Sequence, residues 1–386
     1  MKFSTKSIHI GEEVDFNQTT SGDVIAPLHL ATTFARKDVQ DPTRGFEYSR
    51  SLNPTRQALE SKLAALENAE YGLAFSSGLG AETSILLALL KSGDHVITTD
   101  DLYGGTQRLF RKVFEEKFNI QFSFVDTSKS SLVKNHITNK TKLIWIESPT
   151  NPMLKLSDIQ AIAKIANQNG IITLVDNTFM SPFFQNPLDL GADIVLHSTS
   201  KYINGHSDSI GGAVMVNNSE LYERIQFIQN SAGAILSPFD SYMVLRGIKT
   251  LGMRMREHHR NSQQIAEYLE VHQKVKKVIY PGLNSHPQYH LAQRQMKGGG
   301  GMITFELDTN LSKSKKFVEN LNYFSLAESL GGVESLIELP ALMTHASVPI
   351  EDRRKLGITD SLIRMSVGVE STEDLLNDLD KALNRI

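Results

Sequence analysis

Cysteine is absent from the sequence, which excludes disulfides, zinc thiolate centres and iron–sulfur clusters and fits a reducing compartment. Long apolar runs are absent too. The longest clear one, Ile85 to Leu90, is far too short to span a bilayer. Met1-Lys2-Phe3-Ser4-Thr5-Lys6 is followed by no apolar core, so no secretory signal is expected. Charge of one sign is scarce: 40 Lys and Arg stand against 43 Asp and Glu, a formal net charge of -3. That leaves no basic field for nucleic acid or an anionic membrane surface. No Walker sequence and no zincin spacing occurs, and His258-His259 and His286/His290 read as surface residues rather than ligands. Gly205-His206-Ser207-Asp208-Ser209 lacks the last glycine of a nucleophile elbow. What is present is an ordinary globular composition, 40% hydrophobic and 22% charged over 386 residues. It suits two or three domains and a cytoplasmic location.

The chain divides by texture. Residues 1–50 have little periodicity and read as an arm, either disordered or docking elsewhere. Asn53-Pro54 then starts a helix, asparagine capping and proline in the first turn. From Tyr71 to about Val216 short apolar strands alternate with amphipathic helices: 72–75, 95–99, 121–125, 143–146, 171–175, 193–196 and 213–216. Ser157 and Gln160 look like a capping box, with Gly170 after the last turn of that helix. The pattern predicts a large α/β domain with a mostly parallel sheet, over 51–245. A long helix is expected over about 237–272. Strands at 275–280, 302–307 and 362–367, with helices at about 312–321 and 372–384, predict a smaller α/β domain over 246–386. Gly298 to Gly301 follows a helix and precedes a strand, the wrong order for a phosphate loop, and reads as a turn.

Two strand ends carry chemistry. The strand before Ser198-Thr199-Ser200-Lys201 and the strand ending at Asp176 place a lysine and an acid where open α/β sheets bind ligands. Pyridoxal phosphate (PLP) enzymes need such a pair, a lysine for the covalent link and an acid for the pyridinium nitrogen. Alone, the pair also reads as a solvated lysine and a helix cap. Ser76-Ser77-Gly78-Leu79-Gly80, between a strand and a helix, would hold an anion on backbone N–H groups. With Asp100 it half-matches a dinucleotide fingerprint, which keeps a nicotinamide dehydrogenase as the rival class. The third glycine is missing, however, and that chemistry gives no reason for Lys201 and Asp176. Tyr103 could lie flat on a planar cofactor or merely cap the sheet. Arg364, inside an apolar strand, needs an anion, either a substrate α-carboxylate or a structural acid.

Motifs along nearly the whole chain resemble the PLP-dependent enzymes of cysteine and methionine metabolism, fold type I. They are Tyr48-Ser49-Arg50-Ser51-x-Asn53-Pro54-Thr55-Arg56, Ser77-Gly78, Asp101-x-Tyr103-Gly104-Gly105-Thr106, Glu147-x-Pro149-x-Asn151-Pro152 and Val175-Asp176-Asn177-Thr178. They continue in Ser198-x-Ser200-Lys201-Tyr202, Gly205-His206-Ser207-Asp208, Glu328 to Leu336 and Met343-Thr344-His345. The resemblance implies that Lys201 holds the cofactor, Asp176 faces its pyridine nitrogen, Tyr103 stacks on its ring and Asn151 lies near its phenolic oxygen. It implies a phosphate cradle of Ser77, Gly78, Leu79, Ser198 and Ser200. Tyr48 and Arg50 would reach the phosphate of a neighbouring subunit, giving shared sites in a homotetramer built as a dimer of dimers. Arg364, Ser335, Glu334, Asn151 and Arg108 would bind the amino-acid substrate. Leu52 stands where the family usually has glycine.

Within the family, Gly105 stands where methionine γ-lyases put cysteine. Glu334, Glu338-Leu339-Pro340-Ala341 and Ala346-Ser347-Val348-Pro349 are most similar to the cystathionine γ-lyase branch, with the γ-synthase branch second and β-lyases as a further alternative. The implied reaction is transsulfuration by γ-elimination of L-cystathionine to cysteine, 2-oxobutyrate and ammonia.

Overall fold

Seven apolar segments align into one sheet: β1 (Tyr71–Phe75), β2 (His95–Thr99), β3 (Gln121–Val125), β4 (Thr141–Glu147), β5 (Ile172–Asp176), β6 (Ile194–Ser198) and β7 (Gly212–Val216). The structure is a computed structural model that describes residues 1–14, 22–346 and 350–386. The strand order is β1-β7-β6-β5-β4-β2-β3. Strands β2 to β6 pair in parallel, and β7 runs antiparallel to both its neighbours. Every residue of β2 and β7 is buried, as a sheet covered on both faces requires. Leu73 and Phe75 pack with helices Gly78–Leu89 and Ser219–Ala232 on one face. Ala74, Ala213 and Met215 turn to the other face, onto helices Pro54–Leu66 and Pro238–Ile248. Alternate residues thus serve opposite layers.

A second sheet is built from β8 (Val275–Ile279), β9 (Met302–Leu307), β10 (Ser325–Leu326), β11 (Leu336–Glu338) and β12 (Leu362–Ser366), in the order β10-β11-β12-β9-β8. Helices Leu311–Glu319, Thr372–Asn384 and the end of Leu251–Glu270 cover Phe305, Ile363 and Met365. The two short strands β10 and β11 escape a periodicity reading because neither is long enough to alternate. The Gly298 to Gly301 turn packs as tightly as its composition suggests. A Cβ on Gly299 would come within 2.6 Å of the Tyr280 ring, and one on Gly301 within 2.5 Å of the Tyr202 hydroxyl.

Several expectations are corrected. The long helix is two, Pro238–Ile248 and Leu251–Glu270. The break is held open by Arg254, which donates to Gly247 O at 2.9 Å and to Tyr202 O at 2.7 Å. The helix expected from Ser157 begins at Ile159 and is capped by Asp158, whose carboxylate accepts from Ala161 N at 3.0 Å. The Ser157 hydroxyl is instead bonded to Thr127. His258 and His286 are buried rather than superficial, bonded to Val367 O at 2.7 Å and Leu154 O at 3.1 Å. The start of the arm is ordered on its own chain. Helix Phe3–His9 lies against Pro54–Leu66, with Lys6 donating to Ala65 O and Glu12 paired with buried Lys62. Past residue 22 the arm runs over the surface, with Val24 82%, Leu30 65% and Val39 90% exposed. Residues 15–21 of the arm, and Ser347 to Pro349 of the branch motif, lie outside the described residues.

Candidate active site

Between the two sheets lies a cavity of about 570 Å³, lined by the carboxyl ends of β4, β5 and β6, the start of helix Gly78–Leu89, and the loops around β10 and β11. That volume suits a cofactor-sized ligand. Parallel strands bring their carboxyl ends to one edge, which is why Glu147, Asp176 and Ser198 meet there although widely separated in sequence.

At one end is an anion cradle. Ser77 caps helix Gly78–Leu89 by accepting from Gly80 N at 2.9 Å. This leaves the Gly78 and Leu79 N–H groups, first in the helix, without intrahelical acceptors. Gly78 lies so close to strand β6 that an added Cβ would meet Ser198 Cβ at 3.3 Å. Ser200 faces the same space, its hydroxyl accepting from Gly211 N at 3.0 Å. Two serines and two helix-start amides make an arrangement that suits a phosphate.

Lys201 follows immediately. Its Nζ donates to Ser329 Oγ at 2.6 Å. Burial, helped by the nearby Arg364 charge, lowers this amine to about 8. Asp176 faces it across the cavity, anchored by Thr178 N, which donates to Oδ1 at 2.9 Å. Burial raises the Asp176 carboxyl, and the Thr178 bonds oppose that. Tyr103 stands at the cavity mouth, 46% exposed, its backbone N–H donating to Glu147 Oε2 at 3.0 Å. Its ring lies over Gly105, where an added Cβ would fall 2.4 Å from Cε1. The cysteine that methionine γ-lyases carry at this position would therefore displace the ring. Burial holds the Tyr103 phenol above its ordinary range, so it is a proton carrier at neutral pH.

Arg364, 3% exposed on β12, has three anchors. Nη1 donates to Asn151 Oδ1 at 3.1 Å and Nη2 to Ser329 O at 2.8 Å, while Nε lies 3.0 Å from Glu338 Oε1. Of the two anions considered for Arg364, the structural acid is present. Glu338 balances the charge from behind, and one N–H on each terminal nitrogen is left for a carboxylate. Glu334 lines the cavity and accepts from the Ser207 hydroxyl.

Two expected residues, Ser335 and Arg108, are placed differently. The Ser335 hydroxyl is fully buried, donating to Glu370 at 2.9 Å and accepting from Gly368 N at 2.8 Å, so it braces the loop and does not line the cavity. Arg108 is exposed, outside the lining, and acts on Tyr103 only through its charge. Tyr48 and Arg50 lie on the outer surface, the guanidinium 5.5 Å from the Tyr48 ring and bonded to Asn230. Neither lines this chain's cavity, which leaves them free for the neighbouring copy they were expected to reach. Ser329, Glu338 and Thr178 carry structure at the site that sequence reasoning did not assign. Ser329 was legible only as part of a glycine-rich motif, although a non-glycine residue at φ 89° is a mark of constraint.

The side chains fit pyridoxal phosphate. The cradle suits its phosphate, Lys201 its aldehyde and Asp176 its pyridine nitrogen, while Tyr103 offers a ring face.

Comparison with known proteins agrees over the whole length. A family profile described as Cys/Met metabolism PLP-dependent enzyme matches residues 4–384. A cystathionine gamma-lyase of Dictyostelium discoideum is 55% identical, covering 100% of this chain and 98% of the relative. A cystathionine beta-lyase of Coxiella burnetii is 52% identical, covering 98% and 97%. The crystal structure of a cystathionine gamma-lyase from Lactobacillus plantarum, complexed with L-serine, superposes with TM-score 0.95 at 46% identity, covering 100% and 99%. With a fold type I architecture, a lysine and acid at adjacent strand ends and a profile match from residue 4 to 384, the chain belongs to the PLP-dependent enzymes of Cys/Met metabolism.

Proposed function

We propose that this PLP-dependent enzyme cleaves the Cγ–S bond of L-cystathionine, consuming water and releasing cysteine, 2-oxobutyrate and ammonia. The observation that carries the reading is full-length similarity to cystathionine γ-lyases, joined to a cavity holding Lys201, Tyr103, Glu334 and Arg364.

The bound cofactor supplies an electron sink that stabilises negative charge developing at Cα. The chain's residues do the rest. The two free N–H groups of Arg364 take the substrate α-carboxylate two-pronged and fix the Cα–H bond relative to Lys201. Lys201, with its basicity lowered to about 8, takes the Cα proton and returns it elsewhere on the substrate framework. Ser329 steers the amine by accepting its hydrogen bond. Tyr103 keeps its proton until the γ-sulfur departs and then donates it. Glu334 faces the distal end of the substrate, where its carboxylate suits the second ammonium group. Asp176 would hold the pyridine nitrogen of the cofactor, and the Gly78–Leu79 amides its phosphate.

We infer further that the arm completes a neighbouring copy's cradle through Tyr48 and Arg50, in a homotetramer with shared sites. Its support is the absence of both residues from their own chain's cavity lining and the exposed Val24, Leu30 and Val39 in the same arm. The domain limits 1–50, 51–245 and 246–386 and a cytoplasmic location belong to the same reading.

The test is product identification after incubating the PLP-loaded enzyme with L-cystathionine. Cysteine with 2-oxobutyrate establishes γ-cleavage. Homocysteine with pyruvate establishes the second reading, β-cleavage, which the Coxiella relative favours. No product directs the assay to cysteine plus an activated homoserine ester and refutes both lyase readings.

A further inference from the structure

One buried acid in the cavity has no place in the chemistry above. Glu82 sits one helical turn beyond Gly78 in helix Gly78–Leu89, on the face that lines the cavity. It is 3% exposed. Oε1 accepts from Thr106 Oγ1 at 2.9 Å, and Oε2 is buried without a hydrogen-bond partner. A buried carboxyl oxygen left unpaired is costly unless a ligand or a proton meets it. Its surroundings are acidic. Asp176 at the end of β5 acts on it directly, Glu147 at the end of β4 interacts with both acids, and Tyr103 lies above with Thr106. No group of acids and histidines suited to a metal ion occurs among the described residues.

We propose that Glu82 is a second acid serving the pyridine end of the cofactor: a positioning residue that, beside Asp176, keeps the ring nitrogen protonated. The inference rests on Asp176 marking that end of the cavity. It does not depend on which sulfur amino acid is cleaved.

Three like-charged carboxyls sharing one desolvated site cannot all ionise. Burial first, and then the Asp176 charge, pushes Glu82 well above the ordinary carboxylate range. Burial and the same Asp176 charge push Glu147 up likewise. Glu147 already accepts the Tyr103 N–H at Oε2, whereas Glu82 keeps an unpaired oxygen buried in the cavity wall. These shifts favour the neutral form of Glu82, which gains its charge only as pH rises. When it does ionise at alkaline pH, its negative charge favours the cationic ring nitrogen. Replacing Glu82 by a group that cannot titrate removes that charge and so weakens hold of the ring proton.

The experiment is nitrogen-15 NMR of holoenzyme reconstituted with PLP labelled at the ring nitrogen, followed against pH. Glu82→Gln keeps an oxygen for Thr106 and removes only the titratable proton. In that variant the ring nitrogen should lose its proton at lower pH than in the parent enzyme, by about one pH unit or more. Glu82→Asp, a shorter acid, should lie between the two. If Glu82→Gln does not retain the cofactor, Glu82→Asp against the parent carries the same test. A titration unchanged from the parent's in the available variants overturns the proposal. Asp176→Asn separates the two levels of inference. If it too leaves the nitrogen unchanged, the orientation assumed for the cofactor fails; if it alone shifts the titration, only the role of Glu82 fails.

Discussion

Arg364→Lys tests the substrate grip without removing its charge. The lysine ammonium keeps a cation opposite Glu338, so the buried acid is not stranded and the strand β12 environment persists. What disappears is the planar fork. In the parent, one N–H from each terminal nitrogen remains after Asn151 and Ser329 O are served, giving two parallel bonds to a carboxylate. An ammonium in the same place offers one at best, because its flexible stem does not reproduce the guanidinium geometry. One charge-assisted hydrogen bond is worth about 1.5–3 kcal/mol, so kcat/KM for L-cystathionine should fall about ten- to a hundredfold. Most of the loss should lie in KM, since the carboxylate is equally anionic before and during reaction. Initial rates of 2-oxobutyrate formation measure this, with the absorbance of bound cofactor as a check that the site is otherwise intact. A kcat/KM within twofold of the parent's would refute the argument. Arg364→Ala removes both prongs and leaves Glu338, 0% exposed, without its cation, and should cost about 2–5 kcal/mol.

Further outcomes follow from the same geometry. Lys201→Ala should abolish turnover, and any retained activity at parental level would overturn its assignment. Tyr103→Phe should lower kcat about 10²–10⁴-fold while cofactor absorbance stays near normal, as expected of a lost proton donor rather than a lost binding site. The free amine of Lys201 is the active form, so kcat should rise with pH through about 8; a flat profile across that region would exclude it as the base. Mixing Arg50→Ala with Lys201→Ala subunits under exchange conditions should restore activity if sites are shared, because mixed pairs contain one site with both native residues. His258 is lowered by burial to about 4 from 6.5. The stability gained by keeping it neutral is fully present above pH 6.5 and is lost as pH falls towards 4, to a total of about 3 kcal/mol. Urea midpoints should track that loss and show less of it in His258→Asn.

Much of this arrangement is readable without coordinates because parallel strands advertise themselves. Uninterrupted runs such as Leu143 to Ile146 have no other use, and residues just past them, Asp176 and Ser198 to Lys201, must gather at one edge. Arg364 was equally legible as a charge that burial forces into partnership. Its partner was not, since Glu338 sits on a three-residue strand whose pairing with β12 only the fold reveals. Ser335 misled for a related reason: its place beside Glu334 says nothing about which way a loop turns each side chain, and Glu370 claims the hydroxyl. His258 and His286 misled because polar residues in a helix or loop look solvated until a backbone carbonyl from elsewhere is found beside them. Glu82 went unread because one acid in an apolar helix has no motif.

The turn carrying Lys201 is sewn into both halves of the molecule. Arg254 clasps Tyr202 O and Ile203 O, Val333 N reaches Gly205 O, and Ser329 holds Lys201 itself. A hinge opening between the sheets would tear these threads at Lys201. The two lobes should therefore melt as one body, in a single calorimetric transition whose enthalpy matches its sharpness.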